Sequence, residues 1–107
     1  FFEVLLETEF SKVKILSINP NQMLSMQMHR HRSETWYITQ GKATVTLGDR
    51  TVDLFPGESI SIDVNEKHRV QNSGDEILEI IEVQTGSYFG EDDIIRFEDI
   101  YGRKDFH

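Results

Sequence analysis

Short runs in which apolar and polar side chains alternate recur along almost the whole chain. The clearest spans residues 42–47, where aliphatic side chains alternate with lysine and threonine. Because successive side chains of a strand point to opposite faces, this alternation indicates half-buried β-strands. Turn residues such as Asn19-Pro20-Asn21, Gly48-Asp49 and Pro56-Gly57 separate the runs. Together they predict strands at residues 13–17, 23–29, 35–39, 42–47, 51–55, 59–63, 68–72 and 77–84.

Eight or more short antiparallel strands joined by regular turns predict an all-β sandwich or a small barrel. Closure into a barrel would also hide the strand edges, which otherwise invite aggregation. The side chains expected inside are Trp36, Ile38, Val45, Leu47, Ile60 and Ile62. This interior leaves room for polar groups only toward one mouth. Residues 91–101 mix acidic and apolar positions and predict a short C-terminal tail or helix.

Composition limits the possible roles of the chain. Its 107 residues are enough for one domain, spanning 1–107, with a single core. It has no cysteine, which excludes disulfides and thiolate metal ligands, and its net charge of −8 disfavours nucleic acid as a partner. No apolar run reaches the roughly 20 residues that cross a membrane, so we expect a cytoplasmic protein. The chain begins without methionine, and we expect it to be part of something longer.

Metal-binding chemistry is indicated by the segment Gln27-Met28-His29-Arg30-His31-Arg32-Ser33-Glu34 and by His68. On a strand, Gln27 and His29 point the same way, roughly 7 Å apart. A turn through residues 30–33 would bring Glu34 back beside them. Imidazole and carboxylate are good ligands for divalent first-row cations. The alternative is an exposed strand on which histidine and arginine simply alternate.

Two spaced motifs resemble those of cupins. Glu34 and Gly41, separated by six residues, resemble the end of the first cupin motif. A second set of residues resembles the second cupin motif: Gly57, Asp63, Asn65, His68 and Asn72. The chain has Asp63 and Asn65 where cupins usually have proline and glycine, and asparagine tolerates the left-handed backbone that glycine would supply. The resemblance implies a cupin fold, which is a double-stranded β-helix or jelly-roll barrel.

A closer resemblance is to type II mannose-6-phosphate isomerase, carried by residues 24–29, 32–36 and 82–99. It implies a metal-dependent enzyme that interconverts mannose 6-phosphate and fructose 6-phosphate and supplies GDP-mannose synthesis. In that family the module often follows a mannose-1-phosphate guanylyltransferase in one chain. The sequence departs from the family at Arg30 and Thr35, where histidine is usual. The alternatives are a non-catalytic, metal-containing cupin that acts as a sugar-binding or dimerisation module of a guanylyltransferase, and a non-haem iron oxygenase. The 82–99 segment disfavours the oxygenase.

The cupin spacing selects the ligand set. It places a His-x-His pair three or four residues before the glutamate, which here gives Gln27 and His29 before Glu34, completed by His68. Pairing His29 with His31 would leave only two residues before Glu34. An amide oxygen is an unusual but sound hard donor. We expect one divalent ion in this site: zinc, with cobalt, manganese, nickel or magnesium as alternatives.

Aldose–ketose isomerisation also requires a base and a cationic phosphate site. By parity, either Glu79 or Glu82 must face inward, and we favour Glu82 as the base. Further catalytic candidates are His31, in the turn at the mouth, and Lys67, directly before His68. Candidates for substrate binding are Arg32, Arg96 and Arg103. Each of these basic side chains could instead be a solvated surface charge.

We also expect a homodimer. Cupins resembling this chain commonly pair through their sheets, and the first residues are strongly apolar. These are Phe1, Phe2, Val4, Leu5 and Leu6.

Overall fold

The computed structural model describes residues 1–97. Ten β-strands account for most of that part of the chain: β1 (Phe2–Glu7), β2 (Ser11–Ile18), β3 (Gln27–His29), β4 (Arg32–Gln40), β5 (Ala43–Leu47), β6 (Arg50–Leu54), β7 (Ser59–Ile62), β8 (His68–Asn72), β9 (Leu78–Gly86) and β10 (Ile94–Arg96). A 3-10 turn at Glu91–Asp93 precedes β10.

The strands form two antiparallel sheets that face each other. The first sheet has the order β1-β2-β9-β4-β7, and the second has the order β10-β3-β8-β5-β6. Their inner faces meet in one hydrophobic core, as period-two alternation requires. Its buried members are Ile18, Trp36, Ile38, Ala43, Val45, Leu47, Leu54, Ile62, Val70, Leu78 and Ile80. The all-β architecture predicted from the alternation is confirmed.

Strand register places polar side chains at one end of this interior. In the first sheet, Glu34 of β4 is opposite Gln84 of β9, and Trp36 is opposite Glu82. In the second sheet, the only Cα pairing between β3 and β8 joins Gln27 to His68. Since the two sheets face each other, these pairs meet across the same end of the sandwich.

The turn before β8 carries the asparagine that stands where cupins usually have glycine. Asn65 has a φ of 62°, in the left-handed region, so the prediction that asparagine would preserve this turn is confirmed. Its backbone N–H donates to the carbonyl oxygen of His29 at 2.7 Å. The turn that leads into His68 is thereby anchored to the strand that carries His29.

Two strands were not predicted. β1 pairs with β2 along one edge of the first sheet, and all six of its residues are exposed. β10 pairs with β3, so the tail described by the structure ends in a 3-10 turn and a strand. Within residues 1–97, no helix is long and apolar enough to cross a membrane. Arg103 lies outside the described residues.

Candidate metal centre

Three buried side chains from different strands converge at the polar end of the interior. They are His29 of β3, Glu34 of β4 and His68 of β8, and each is 3–4% exposed. Each offers one ligand atom, and these three atoms lie within 4.8 Å of one another. His29 Nδ1 is 3.7 Å from Glu34 Oε2, and His68 Nε2 is 3.8 Å from Glu34 Oε1. Two imidazoles and one carboxylate form a nitrogen and oxygen donor set that suits a divalent first-row ion.

The tautomer of His68 follows from its backbone partner. Its Nδ1 lies 2.9 Å from the carbonyl oxygen of Glu66, and because a carbonyl only accepts, Nδ1 carries the proton and donates. The lone pair therefore resides on Nε2, which is directed toward Glu34. Burial lowers the pKa of His68, which favours the neutral form. A neutral imidazole oriented by a carbonyl is the usual arrangement of a metal-binding histidine.

Glu34 is the carboxylate of the cluster, and its surroundings favour the protonated form. Burial raises its pKa from 4.5 to about 8, assisted by the negative charge of Glu82 and opposed by Arg32. A second positive charge beside this carboxylate would favour ionisation. The electrostatics of the site therefore suit a bound cation.

Arg32 supplies one positive charge to this cluster. It is the first residue of β4, two positions before Glu34, and it is 3% exposed. Its Nε donates to Glu34 Oε2 at 3.0 Å, and its Nη2 donates to His29 Nε2 at 2.8 Å. The expectation that Arg32 lies in the turn was wrong, because the strand begins three residues earlier than predicted. Arg32 thus shares the inner face with Glu34.

A guanidinium only donates, so Nε2 of His29 accepts in this contact and its lone pair faces Arg32. A metal ion bound to that nitrogen would compete with Arg32 for the same lone pair. The donor set fits a metal, and a metal bound to Nε2 of His29 would displace the guanidinium of Arg32 from that nitrogen.

The cluster opens into a cavity of about 170 Å³ between the sheets. Gln27 of β3 lines this cavity beside the three buried ligand candidates, so the structure brings all four predicted metal ligands together. The lining also includes three basic residues from other strands, namely Lys14, Arg69 and Arg96. Arg96 is exposed and lies opposite Gln27 in the β10–β3 pairing.

Glu82 of β9 also lines the cavity and is 5% exposed. Its Oε1 accepts a hydrogen bond from the indole Nε1 of Trp36 at 2.9 Å, and its Oε2 accepts one from the side-chain amide of Gln84. Glu79 lies on the other face of β9, where the hydroxyl of Thr39 donates to its carboxylate at 2.9 Å. Of the two glutamates that parity left open, Glu82 is the one in the cavity.

Two other predicted site residues are not brought into this cavity. The Nδ1 of His31 is 2.8 Å from Asp93 Oδ1, and the His31 side chain is 56% exposed. Lys67 is exposed, and its Nζ lies 4.5 Å from the ring centroid of Phe97. Neither His31 nor Lys67 is among the residues that line the cavity. Arg30 and Thr35, where the chain departs from the type II isomerases, do not line it either.

Asp93 fastens the turn that joins β3 to β4. Its carboxylate accepts from the backbone N–H groups of Arg30 at 3.2 Å and His31 at 3.0 Å. Burial raises the pKa of Asp93, but the hydrogen bonds from His31 and Arg30 outweigh it and hold the pKa below its usual value. This acidic residue was predicted only as part of a polar tail, and it proves to support the strands that carry His29 and Glu34.

Two basic residues of the lining were missed, Lys14 and Arg69. Lys14 lies on β2 with Leu16 and Ile18 on the same face, and it is 4% exposed. The alternation in the sequence contained this signal, since Lys14 has the same parity as the buried Ile18. Arg69 follows His68 directly on β8.

Residues 1–99 match the family model for the C-terminal domain of mannose-6-phosphate isomerase. The chain belongs to this family. Over 92 residues it is 50% identical to the xanthan biosynthesis protein XanB of Xanthomonas campestris and 51% identical to the alginate biosynthesis protein AlgA of Pseudomonas fluorescens. It is 45% identical to a mannose-1-phosphate guanylyltransferase of Salmonella montevideo. These alignments cover 86% of this chain but only 19–20% of the relatives, so the chain spans about a fifth of their length.

Solved structures confirm the cupin fold expected from the two motifs. A double-stranded β-helix protein of Klebsiella pneumoniae superposes with a TM-score of 0.81 at 25% identity, covering 92% of this chain and 84% of that one. The cupin domain of Schizosaccharomyces pombe Cnp3 superposes with a TM-score of 0.77 at 16% identity, covering 79% and 63%. The assignment to the isomerase family is therefore consistent with the cupin fold of the solved structures.

Proposed function

We propose that this chain is a metal-dependent isomerase domain that interconverts mannose 6-phosphate and fructose 6-phosphate. One observation carries the proposal: the buried carboxylate of Glu82 lines the same cavity as the His29, Glu34 and His68 cluster. Isomerisation requires both an electrophile that holds the substrate oxygens and a base that moves a proton between neighbouring carbons. Membership of the isomerase family supports the choice of this reaction.

In this proposal Gln27, His29, Glu34 and His68 hold one divalent ion, with zinc as our first choice. Cobalt, manganese, nickel and magnesium are the alternatives. The amide oxygen of Gln27 adds a neutral hard donor to the nitrogen and carboxylate donors already described. When bound, the ion would polarise the substrate carbonyl and stabilise the negative charge that develops on its oxygen.

Glu82 is the residue that moves the proton. Its carboxylate takes the proton from the carbon beside the carbonyl and returns it to the neighbouring carbon. Trp36 and Gln84 each donate a hydrogen bond to Glu82, which fixes the plane of the carboxylate before substrate binds. Burial at 5% exposure keeps bulk water from the carboxylate.

Arg96 is the phosphate-binding residue that we favour. It is exposed, lines the cavity and belongs to β10, the edge strand of the second sheet. Arg32 lies deeper, in contact with Glu34 and His29, and we assign it to the sugar oxygens nearest the metal. We also propose that Lys67 and Arg103 belong to the outer part of the phosphate site. His31 is proposed as a catalytic residue in the turn at the mouth.

The relatives suggest the setting of this activity. The matched segment is about a fifth of their length, and one is named a mannose-1-phosphate guanylyltransferase. We propose that this domain is fused to, or cut from, a guanylyltransferase and supplies mannose 6-phosphate toward GDP-mannose.

We also propose that the chain forms a homodimer. Strand β1 forms the outer edge of the first sheet, and its apolar side chains Phe2, Val4, Leu5 and Leu6 are 44–54% exposed. A second copy could cover these side chains by extending the sheet or packing on it. Light scattering at micromolar concentration should give twice the monomer mass of 12.5 kDa. A mass of one chain would refute the dimer.

One observation favours a second function, a non-catalytic sugar-binding or dimerisation module. The guanidinium of Arg32 contacts both Glu34 and His29, so the site already contains a cation. In a non-catalytic module Arg32 would keep this place whether or not a metal binds, and it would leave no position for the substrate oxygens.

The deciding experiment assays the purified protein, loaded separately with each of the five metals, for conversion of fructose 6-phosphate to mannose 6-phosphate. We expect turnover with at least one metal, and we expect His68→Ala to abolish metal binding and turnover together. His31→Ala should retain metal, because His31 does not line the cavity. Stoichiometric metal binding without turnover, or no metal binding at all, would support the non-catalytic module.

A further inference from the structure

Lys14 is a buried lysine inside the candidate active site. It occupies the middle of β2, is 4% exposed and lines the cavity with Glu82. In the pairing of β2 with β9, Lys14 lies directly opposite Glu82. Lysine is rarely buried to this extent, because removing an ammonium group from water is costly. A lysine kept in this position needs an explanation beyond strand formation.

The neighbouring strands surround Lys14 with groups that stabilise a cation. The ring of Phe2 on β1 lies 4.3 Å from its Nζ, a cation–π distance. The cavity lining contains two carboxylates that stabilise a cation, Glu34 and Glu82, and three guanidinium groups that do not, those of Arg32, Arg69 and Arg96. Phe2 also lines the cavity, so β1 helps to close this side of the site.

We propose that Lys14 is a further catalytic residue, which donates a proton to one substrate oxygen and takes one from the other, and this rests on the isomerase function proposed above. When Glu82 takes the proton from C2 of the aldose, the C–H electron pair forms a C1=C2 bond. The carbonyl electron pair moves to O1, which takes a proton from the Lys14 ammonium. An enediol and a neutral amine result.

The second half returns every group to its starting state. The Lys14 amine takes the proton from O2–H as the C2=O bond forms, and the C1=C2 electron pair takes the proton held by Glu82 onto C1. The ketose is formed, and both side chains are regenerated. Positions on neighbouring strands suit this division, since Glu82 acts on carbon while Lys14 acts on oxygen.

The test compares Lys14→Met with Lys12→Met in the metal-loaded protein. Methionine matches the unbranched stem of the lysine side chain and lacks the terminal ammonium group. Lys12 belongs to the same strand but does not line the cavity, so it is a matched control. We expect Lys14→Met to lower kcat by about 10²–10⁴-fold, as for loss of a general acid. KM, metal content and Tm should stay close to those of Lys12→Met, whose kcat should match the wild type.

Chemical rescue separates catalysis from a merely structural role. Methylamine added to Lys14→Ala should restore turnover in proportion to the concentration of its protonated form, which a charge needed only for folding would not do.

A Lys14→Met variant with wild-type kcat would overturn the assignment while leaving the isomerase function intact. Loss of folding or metal in both Lys14 variants, or the absence of amine rescue, would also overturn it by showing a structural role. An inactive wild type would instead mean that the isomerase function itself has failed.

Discussion

The interior of the sandwich has two halves built from the same strands. Along the inner face of β4, Arg32 and Glu34 give way to Trp36 and Ile38, and on β9 the order Gln84, Glu82, Ile80 runs alongside. One half is thus charged and bounds the cavity, and the other is an aliphatic core. The apolar half supplies the burial that drives folding, while the polar half retains charges whose burial opposes it. The same strands therefore serve stability at one end and chemistry at the other.

The sharpest way to test this division is to change the charged half alone. Glu82→Gln keeps shape and hydrogen-bonding capacity but cannot accept the substrate's proton, so kcat should fall by about 10²–10⁴-fold. Metal content should be unchanged, as measured by atomic absorption. Glu79→Gln, on the outer face of the same strand, is the control and should be fully active. A fully active Glu82→Gln with an inactive Glu79→Gln would reverse the assignment of the base.

The reciprocal change removes packing from the aliphatic half. Ile80 is fully buried, and Ile80→Ala should lower the free energy of unfolding by about 2–5 kcal/mol. The folded fraction should still bind metal, because Ile80 does not line the cavity. Urea denaturation and metal titration measure the two effects. Ile81 is the next residue and is only partly buried, so Ile81→Ala should lower the free energy of unfolding by less. An equal loss would contradict the assignment of Ile80 to the inner face and Ile81 to the outer face.

A smaller effect is expected where the tail supports the charged half. Asp93→Asn places an amide N–H₂ beside donors from Arg30 and His31, which should cost about 1–3 kcal/mol and weaken metal binding. Urea denaturation and zinc titration would detect both changes. The neighbouring Asp92→Asn affects only an exposed contact with Tyr88 and should leave metal affinity unaltered. Equal affinities in the two variants would argue against Asp93 as a support of the site.

The pH dependence of metal binding should also distinguish the halves. Burial raises the pKa of Glu34 to about 8 in the folded, metal-free protein, against 4.5 unperturbed. Between these values the folded chain holds a proton that the unfolded chain has lost, so this group's contribution to stability falls as pH rises. A metal ligand must be ionised, so binding at pH 7 should release about one proton. Zinc affinity should then rise with pH up to about 8, at most about tenfold per pH unit.

Calorimetry in buffers of different ionisation enthalpy measures that proton release directly. Glu79→Gln should preserve it, because the Glu79 side chain lies on the outer face of β9 with Thr39. Zinc binding without proton release would mean that Glu34 is already ionised before metal binds.

The sequence predicted most of the sandwich because alternation is a local property. Eight strands and the inward face of Trp36 and Ile38 follow from parity, and the grouping of His68 with His29 and Glu34 followed from the resemblance to the cupin motifs. Strand β1 was missed because Leu5 interrupts the alternation of Phe2, Val4 and Leu6 with Glu3 and Glu7. Strand β10 was missed because its apolar spacing with the following residues resembles a helical turn, whereas pairing with β3 decides its conformation.

The basic residues were harder to predict than the ligands. Arginine and lysine are mostly exposed, so the sequence left Arg32 open between substrate binding and the surface, and it did not single out Lys14. Their burial depends on partners supplied by distant segments, such as the carbonyl oxygen of Phe89 for Arg32 and the ring of Phe2 for Lys14. Local sequence contains no record of those contacts. Placement of Lys67 against Phe97 likewise depends on where the tail packs.

The Asp93 contact has a consequence for the order in which the site can be completed during synthesis. The N–H groups of Arg30 and His31 find their acceptor 63 and 62 residues further along the chain. When His29, Glu34 and His68 have been synthesised, Asp93 has not. The carboxylate that fastens the turn between His29 and Glu34 is therefore still missing. The nascent domain therefore acquires these three donor side chains before the residue that fixes the turn between β3 and β4.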